Sequence, residues 1–400
     1  MDAASRNIGR VGSRQGMKEV RDILETAGRL SERGSRMVLA TVVHLEGSSY
    51  RRPGARMLVS ESGEITGAIS GGCLEGDALE KALLTMSQRQ ARIVTYDTMD
   101  EDDPFGVGLG CNGILQVLME PILDDDTLNP IRLLQLATHG RRPSVLATLF
   151  SLERKKGPQP GTCLLLAGDG GWTGHPPDGA PGEVLMADML ECMRSAQSRF
   201  SRLDTESGAM EAFIEHLPPA LSLVIVGAGN DAIPLVELGL RIGWETTVVD
   251  GRSTHARPDR FQAGCRVLVS NPEEVLEKIP SDERTAFVLM THNYAYDKAL
   301  LKVLLQRETG YLGMLGPRKK CERMLEEFRM EGLQFTPKAL DRLHAPVGLD
   351  IGAEGPEEIA VSIVAGICAA ISDRPGTPLR NLKGAIHPKV PSRMMNGKPS

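Results

Sequence analysis

The sequence predicts an α/β protein in which a Rossmann-type, doubly wound parallel sheet follows an N-terminal α+β domain. Three observations support this fold class. The apolar strand Leu221–Val226 runs into the glycine turn Gly227-Ala-Gly229. After Pro219, apolar strands alternate with helical patterns, as in parallel sheets with crossover helices. In the first half, a segment of strands and turns recurs further along the chain, which suggests an internal duplication.

Length, charge and cysteine use narrow the class of protein. A chain of 400 residues exceeds what one hydrophobic core usually serves, so two or three domains are expected. The formal charge of −6 is made of interspersed acidic and basic residues, which argues against nucleic acid or a membrane surface as partner. Seven cysteines without a Cys-x-x-Cys pair favour free thiols in a reducing compartment. The apolar run 359–371 is too short to span a bilayer, so we expect a cytoplasmic protein.

The first domain is predicted to span residues 17–215, after a disordered tail at 1–16. Helical spacing predicts a helix over 17–33, and two apolar strands, 37–43 and 56–60, are predicted to form a hairpin. Residues 39–67 align without gaps on 146–174 with eleven identities, so two related units are predicted at 37–125 and 144–200. Gly71-Gly-Cys73 in the first copy corresponds to Asp178-Gly-Ala180 in the second, so the first copy is expected to carry the chemistry.

The second domain is predicted to span residues 220–372, before an irregular tail at 373–400. Gly227 and Gly229 stand where strand meets helix, and Asp250 stands at the end of the next strand. This pattern suits a dinucleotide, whose diphosphate approaches the turn and whose ribose donates to the carboxylate. The alternative is a turn that serves only tight packing of the helix on the strand. Further strands are predicted at 246–250, 266–270, 286–291 and 311–315.

Polar residues follow two of these strands and are expected to meet in one crevice. They are Thr291-His292-Asn293 with Asp297, and the segment 316–320. Ligands of open α/β sheets bind outside the carboxyl ends of the strands, so His292 is a candidate ligand contact. The basic residues 318–320 are equally well explained as the charged first turn of a helix.

Two cysteines stand beside glycines, in settings that suit reactive thiols. Cys73 follows Gly71 and Gly72 at the start of a helical pattern, where helix amides acidify a thiol. Cys111 lies in the glycine-rich segment 106–113. Together they are candidates to bind a soft metal or a sulfur atom, although cysteine beside glycine can also be a tolerated small residue. Cys368, within the apolar run, is predicted to belong to the core.

The loop between the first two strands is cationic. Arg51, Arg52 and Arg56 stand among glycine, serine and proline, and are candidates to bind a phosphate or carboxylate. Solvated arginines are the alternative.

These segments together resemble the XdhC/CoxI family of xanthine dehydrogenase accessory proteins. The resembling segments of the first half are 39–43, 47–49, 52–57, 71–75 and 108–111. Those of the second half are 227–229, 248–250, 313–316, 342–352 and 356–363. One departure is Asn230, where many relatives have histidine after the glycine turn.

The resemblance implies a non-catalytic maturation factor that binds the molybdenum cofactor (a molybdopterin-bound molybdenum). Such a protein holds the cofactor while a cysteine desulfurase replaces an oxo ligand with sulfur, and inserts it into a xanthine dehydrogenase-type hydroxylase. Cys73 is then the leading thiolate contact, Cys111 the second, and the three arginines contact the phosphate. We expect a homodimer, with the thiols at an interdomain cleft or dimer interface.

Two other functions remain open from the sequence. One is an NAD(P)-dependent oxidoreductase that uses the Rossmann domain, for which His292 and Asp297 are the available proton-transfer pair. The other is a molybdenum cofactor nucleotidyltransferase, although no carboxylate pair beside a triphosphate loop is evident.

Overall fold

The computed structural model describes residues 17–47, 51–72, 74–97, 113–123, 125–206, 208–383 and 386. The chain divides into two compact units, one reaching to Pro219 and the other spanning Ala220–Ile386. No helix within the described ranges combines the length and the apolar character that a bilayer crossing requires.

The first unit contains two copies of the same arrangement of helices and strands. The first copy comprises α1 (Met17–Glu32), β1 (Met37–Gly47), β2 (Arg56–Ser60), β3 (Ile65–Gly67), α2 (Glu75–Gln88), β4 (Arg92–Asp97) and β5 (Gly113–Ile122). The second comprises α3 (Pro130–Ala137), β6 (Ser144–Phe150), β7 (Gly161–Leu166), β8 (Trp172–Gly174), α4 (Ala180–Ser195), β9 (Arg199–Thr205) and β10 (Gly208–Leu217).

The two antiparallel sheets share one strand order, which agrees with the duplication suggested by the sequence. The orders are β3-β2-β1-β5-β4 and β8-β7-β6-β10-β9. Strands β6, β8 and β9 start 107 residues after β1, β3 and β4, and this is the offset of the gapless alignment of 39–67 on 146–174. The second copy continues to Leu217, beyond residue 200, because β9 and β10 complete its sheet.

Strand β1 shows why its sequence is apolar without alternation. Val38 and Ala40 pack in a core with α2, whereas Leu39, on the opposite face, joins a core that includes Leu146 of the second sheet. Successive side chains of a strand point to opposite faces, so a strand buried on both faces carries an uninterrupted apolar run.

The second unit is a six-stranded parallel sheet with helices on both faces. Its elements are β11 (Ser222–Val226), α5 (Ala232–Arg241), β12 (Glu245–Asp250), β13 (Arg266–Val269), α6 (Val275–Lys278), β14 (Thr285–Leu289), α7 (Tyr294–Leu304), β15 (Tyr311–Met314), α8 (Arg318–Met330), α9 (Pro337–Asp341), β16 (Leu343–His344) and α10 (Pro356–Ile371). The strand order is β13-β12-β11-β14-β15-β16, and every pairing is parallel.

The strand order reverses between β11 and β14, which defines the crevice of the sheet. Val226 is in register with Leu289, so both strands end at the same edge. Strand β14 ends at Leu289, short of the predicted end at 291, and Thr291 and His292 therefore lie in the loop that borders this crevice.

Two features of the C-terminal part differ from expectation. Cys368 lies in α10 as predicted, but its side chain is exposed, so its assignment to the core was wrong. Helix α10 buries only one face, through residues such as Ile363 and Ile367, and position 368 is on the other. The predicted irregular tail contains a short 3-10 helix, Leu379–Asn381.

Candidate functional site

The loop before α2 is the first part of the candidate site, and a small hydrogen-bond network fixes it. The Glu75 carboxylate accepts from the Ser70 amide (2.9 Å), the Ser70 hydroxyl (2.5 Å) and the Leu74 amide (3.2 Å). The Ser70 hydroxyl oxygen accepts from the amides of Gly72 and Leu74, both at 3.2 Å. Cys73 lies outside the described residues, but the residues on both sides of it are held by this network.

The glycines of this loop face open space. Gly71 and Gly72 are both exposed. Gly72 has φ +112°, and a Cβ added to it would meet no atom within 4 Å. Its conformation therefore comes from the turn and not from crowding, and the backbone here is accessible to a ligand.

Charge at the start of α2 is favourably placed. Burial raises the pKa of Glu75, but hydrogen bonds from the Ser70 hydroxyl and the nearby amides lower it by more. The pKa of Glu75 therefore lies below its ordinary value. An ionised carboxylate in the first turn is stabilised by the positive end of the helix dipole. The same field favours the anionic form of a thiol placed there.

The second predicted thiol, Cys111, also lies outside the described residues. The thiols of Cys163 and Cys192 have pKa values raised to about 12, mainly by burial, which makes them unreactive. Within the described ranges, no cluster of three His, Cys, Asp or Glu side chains could hold a metal.

The three arginines of the β1–β2 loop take different roles in the structure. Arg56 is 2% exposed and pairs with Glu215 of β10 (Nη2 to Oε2, 2.5 Å), while its Nη1 donates to the Gly54 carbonyl (2.9 Å). Its charge is compensated within the core, so the structure reassigns Arg56 from anion contact to structural ion pair. Arg51 donates to Glu19 at 2.5 Å. Arg52 is half-buried, which lowers the pKa of its guanidinium.

A second buried glutamate occupies the matching place in the other copy. Glu120 pairs in register with Leu39, and Glu215 with Leu146, the two leucines being equivalent in the repeat. A Cβ on Gly161 would lie 2.5 Å from the Glu120 carboxylate, as one on Gly54 would lie 2.6 Å from Glu215.

The two copies differ in what faces this glutamate. Cys163 occupies the position equivalent to Arg56, so the second copy has no arginine there. Glu120 instead accepts from the Thr162 amide (2.6 Å) and hydroxyl (3.0 Å). Burial raises the pKa of Glu120 to about 7, against weaker lowering by Thr162 and Arg56.

In the second unit, the glycine turn at the end of β11 packs against the neighbouring strand. Gly227 has φ +121°, and a Cβ on it would lie 2.5 Å from the Met290 carbonyl oxygen. A Cβ on Gly229 would lie 2.4 Å from Oδ1 of Asp231. Gly227 is therefore required by its positive φ and by backbone contacts, whereas the atom near Gly229 is the end of a side chain that can move.

Asp250, the predicted ribose acceptor, is 3% exposed and already bound by internal donors. Its Oδ2 accepts from the Ala228 amide and from Arg252 Nη2, both at 2.8 Å, and its Oδ1 from the Arg252 amide and Nε, both at 2.9 Å. Burial raises the pKa of Asp250, but these hydrogen bonds bring it below the ordinary value.

Sequence reasoning missed two residues that hold this turn. Arg260 donates to the Ala228 carbonyl (2.6 Å) and to Oδ1 of Asn230 (2.9 Å). The Asp231 carboxylate lies 3.1 Å from Nε2 of His292, within hydrogen-bond distance. Arg260 also donates to the His255 carbonyl of its own loop (2.7 Å), but no local signal reveals its contacts with the turn, because Ala228 and Asn230 lie about 30 residues earlier in the chain.

The polar residues after β14 and β15 meet only in part. Asp297 is fully buried, accepts from the Thr291 hydroxyl at 2.6 Å and pairs with Lys320 at 2.6 Å. His292 points elsewhere: its side chain is 73% exposed, its φ is +57°, and it contacts Asp231. His292 and Asp297 therefore do not form the proton-transfer pair that an oxidoreductase would use.

These features define the class of the protein. It joins a duplicated α+β unit, with a glycine loop at the start of a helix, to a Rossmann unit. Residues 223–367 match the model of the XdhC Rossmann domain, and residues 30–97 match that of the XdhC and CoxI family. The chain belongs to the XdhC/CoxI family, as the resemblance of its motifs implied.

Similar proteins support this assignment. The chain is 30% identical to a probable xanthine dehydrogenase subunit of Bacillus subtilis (strain 168), over 82% of this chain and 92% of that protein. It is 24% identical to the "Molybdenum cofactor insertion chaperone PaoD" of Escherichia coli (strain K12), over 87% of this chain and 88% of that one. A crystal structure described as a xanthine dehydrogenase from Bacillus halodurans has 31% identity and a TM-score of 0.71, covering 88% of this chain and 96% of that chain.

Proposed function

We propose that this protein binds the molybdenum cofactor and takes part in its maturation for a xanthine dehydrogenase-type hydroxylase. The similarity to the insertion chaperone PaoD supports the class of cargo. The observation that carries the proposal is the loop before α2, where Ser70 and Glu75 fix the backbone on both sides of Cys73 and leave its glycines open. A thiol at a helix start suits the reversible binding of a soft metal centre.

In this proposal the cofactor is cargo, and the chain supplies contacts at both ends of it. The Cys73 thiolate binds at the metal end, and Cys111 is the second thiolate. Arg51 and Arg52 offer cationic contacts to the phosphate of the pterin. Arg56 is left out, because its guanidinium is buried against Glu215.

The proposal also names partners. The cofactor is held while a cysteine desulfurase exchanges an oxo ligand for sulfur, and it is then transferred to the apo-hydroxylase. The protein acts as a carrier and performs no chemical step of its own. A homodimer is the proposed assembly.

Cofactor binding is tested with the full-length protein made in a host that synthesises the cofactor. Molybdenum per chain is measured by mass spectrometry after gel filtration. Cys73→Ser is expected to lower it about tenfold or more, as loss of a ligand or its support commonly does. The matched control is Cys368→Ser, which changes an exposed thiol of the other unit and is expected to leave binding intact. Full retention of molybdenum by Cys73→Ser would remove the thiol from the site.

Transfer is tested separately by mixing the loaded protein with apo-hydroxylase and following its activation. Activation by the wild type but not by free cofactor at the same concentration is expected of a carrier. Equal activation by both would reduce the role of the protein to passive binding.

A further inference from the structure

The Rossmann fold of the second unit implies a dinucleotide, so the fit of its residues to that ligand can be examined directly. An NAD site uses a carboxylate at the end of the second strand to accept from the ribose hydroxyls, whereas an NADP site uses a nearby arginine for the 2′-phosphate. Both kinds of site also need an uncrowded glycine turn at a helix start for the diphosphate. Both positions can be inspected, since residues 222–250 are all described.

The ribose position is taken by Arg252. Four donors already reach the Asp250 carboxylate: two backbone amides and the Nε and Nη2 of Arg252. A carboxylate offers about four lone-pair directions, so this one is saturated. The Arg252 contact is bidentate, the strongest arrangement for such a pair. Ribose hydroxyls could donate to Asp250 only by displacing a charged partner with a neutral one.

The diphosphate position is taken by a negative charge. The Asp231 carboxylate lies close enough to Gly229 that its Oδ1 would be 2.4 Å from an added Cβ. Its other oxygen contacts His292, which ties this carboxylate to the opposite wall of the crevice. A carboxylate at this place repels a diphosphate and itself uses the favourable field of the helix start.

Arg260 closes the turn from a third side. Its guanidinium holds the Ala228 carbonyl and the Asn230 side chain and lies over the Phe261 ring, 5.5 Å from the ring centroid. Gly227, which would normally indicate a ligand, is explained here by the backbone of Met290.

We propose that the glycine turn of this Rossmann unit is closed to dinucleotides by the chain's own side chains. Arg252 occupies the carboxylate that the ribose of NAD would use, and Asp231 lies at the diphosphate position that NAD, NADP and FAD share. The turn then serves as a fixed joint between β11, β12 and α5. This inference does not rest on the proposed cofactor role, which concerns the first unit.

The test is a fluorescence titration of the full-length protein with NADH, NADPH and FAD. The wild type is expected to show no saturable binding up to about 1 mM, a level that corresponds to very weak association. The double variant Arg252→Ala/Asp231→Asn is expected to gain binding of at least one of the three, with a Kd at least about tenfold below this 1 mM limit. Each single variant is measured as well, so that a folding defect of the double variant does not decide the result.

A matched control exists in the same loop. Arg257 and Asp259 form an exposed pair of the same residue types, 2.6 Å apart, away from the turn. Arg257→Ala/Asp259→Asn is expected to behave as the wild type. Micromolar binding by the wild type overturns the proposal. So does a failure of all Arg252 and Asp231 variants to gain binding while circular dichroism shows them folded, or an equal gain by the control.

Discussion

Replacing Glu120 by glutamine is expected to abolish much of the pH dependence of stability of the first unit. Glu120 is buried, and burial raises its pKa from an ordinary 4.5 to about 7. Because its pKa is raised on folding, the folded state holds a proton that the unfolded state releases, and stability falls as pH rises from 4.5 to about 7. The difference in pKa corresponds to a loss of at most about 3 kcal/mol. Glutamine resembles the protonated form and can still accept from the Thr162 amide.

The assay uses the two tryptophans, one in each unit. In a Trp244→Phe background, Trp172 reports denaturant unfolding of the first unit alone. Glu120→Gln is expected to match its parent near pH 5 and to exceed it by up to about 3 kcal/mol near pH 8. The control is Glu215→Gln, which leaves Arg56 buried without its anionic partner and is expected to cost about 3–5 kcal/mol at both pH values. An unchanged pH slope in Glu120→Gln would refute the reasoning.

Four further outcomes are expected. Gly227→Ala destabilises the second unit by at least about 1–3 kcal/mol, because its φ is +121° and the added methyl meets a backbone carbonyl. Lys320→Met destabilises it by about 3–5 kcal/mol, because Asp297 stays buried without its cationic partner. His292→Val, at φ +57°, costs about 1–2 kcal/mol. Glu75→Ala releases the loop before α2 and lowers bound molybdenum about tenfold.

Two of these outcomes have a matched control variant. Stability of the second unit is followed by Trp244 in a Trp172→Phe background. Adding Asp297→Asn to Lys320→Met is expected to restore most of the loss, since no uncompensated charge remains; no recovery would contradict the ion-pair account. His292→Asn, which tolerates the left-handed region, is expected to stay within about 0.5 kcal/mol of the wild type. Unchanged molybdenum content in Glu75→Ala would mean that its network does not position the thiol.

Much of the fold could be predicted because its signals are local. Three examples are the apolar run of β1, the glycine after α1 and the turn at Gly227. Each of these patterns is determined by the conformation or burial of the same short segment. The repeat was visible because turns constrain glycine and proline at the same offset in both copies. Strand ends were less accurate: β14 ends at Leu289 where its sequence continues as apolar, because pairing with β11 ends there.

The partners of charged residues could not be predicted, because they are set by the tertiary fold. Arg56 pairs with a glutamate 159 residues away. In the sequence, nothing distinguishes it from the other arginines of the cationic loop. Asp250 was identified at the right place, but its saturation by Arg252 depends on a loop conformation that no spacing rule contains. The same limit applies to Cys368, whose exposure depends on which face of α10 meets the sheet.

The two buried glutamates of the first unit each pack against the other copy of the repeat. Glu120 ends up beneath Gly161 of the later copy, and Glu215 beneath Gly54 of the earlier one. In each direction, the glutamate of one copy packs against a glycine of the other copy, whose missing side chain leaves room for the carboxylate. If the chain were cut between the copies, each fragment would hold a buried glutamate whose hydrogen-bond partners lie in the other fragment. We expect the two fragments to recover their structure only by reassociating.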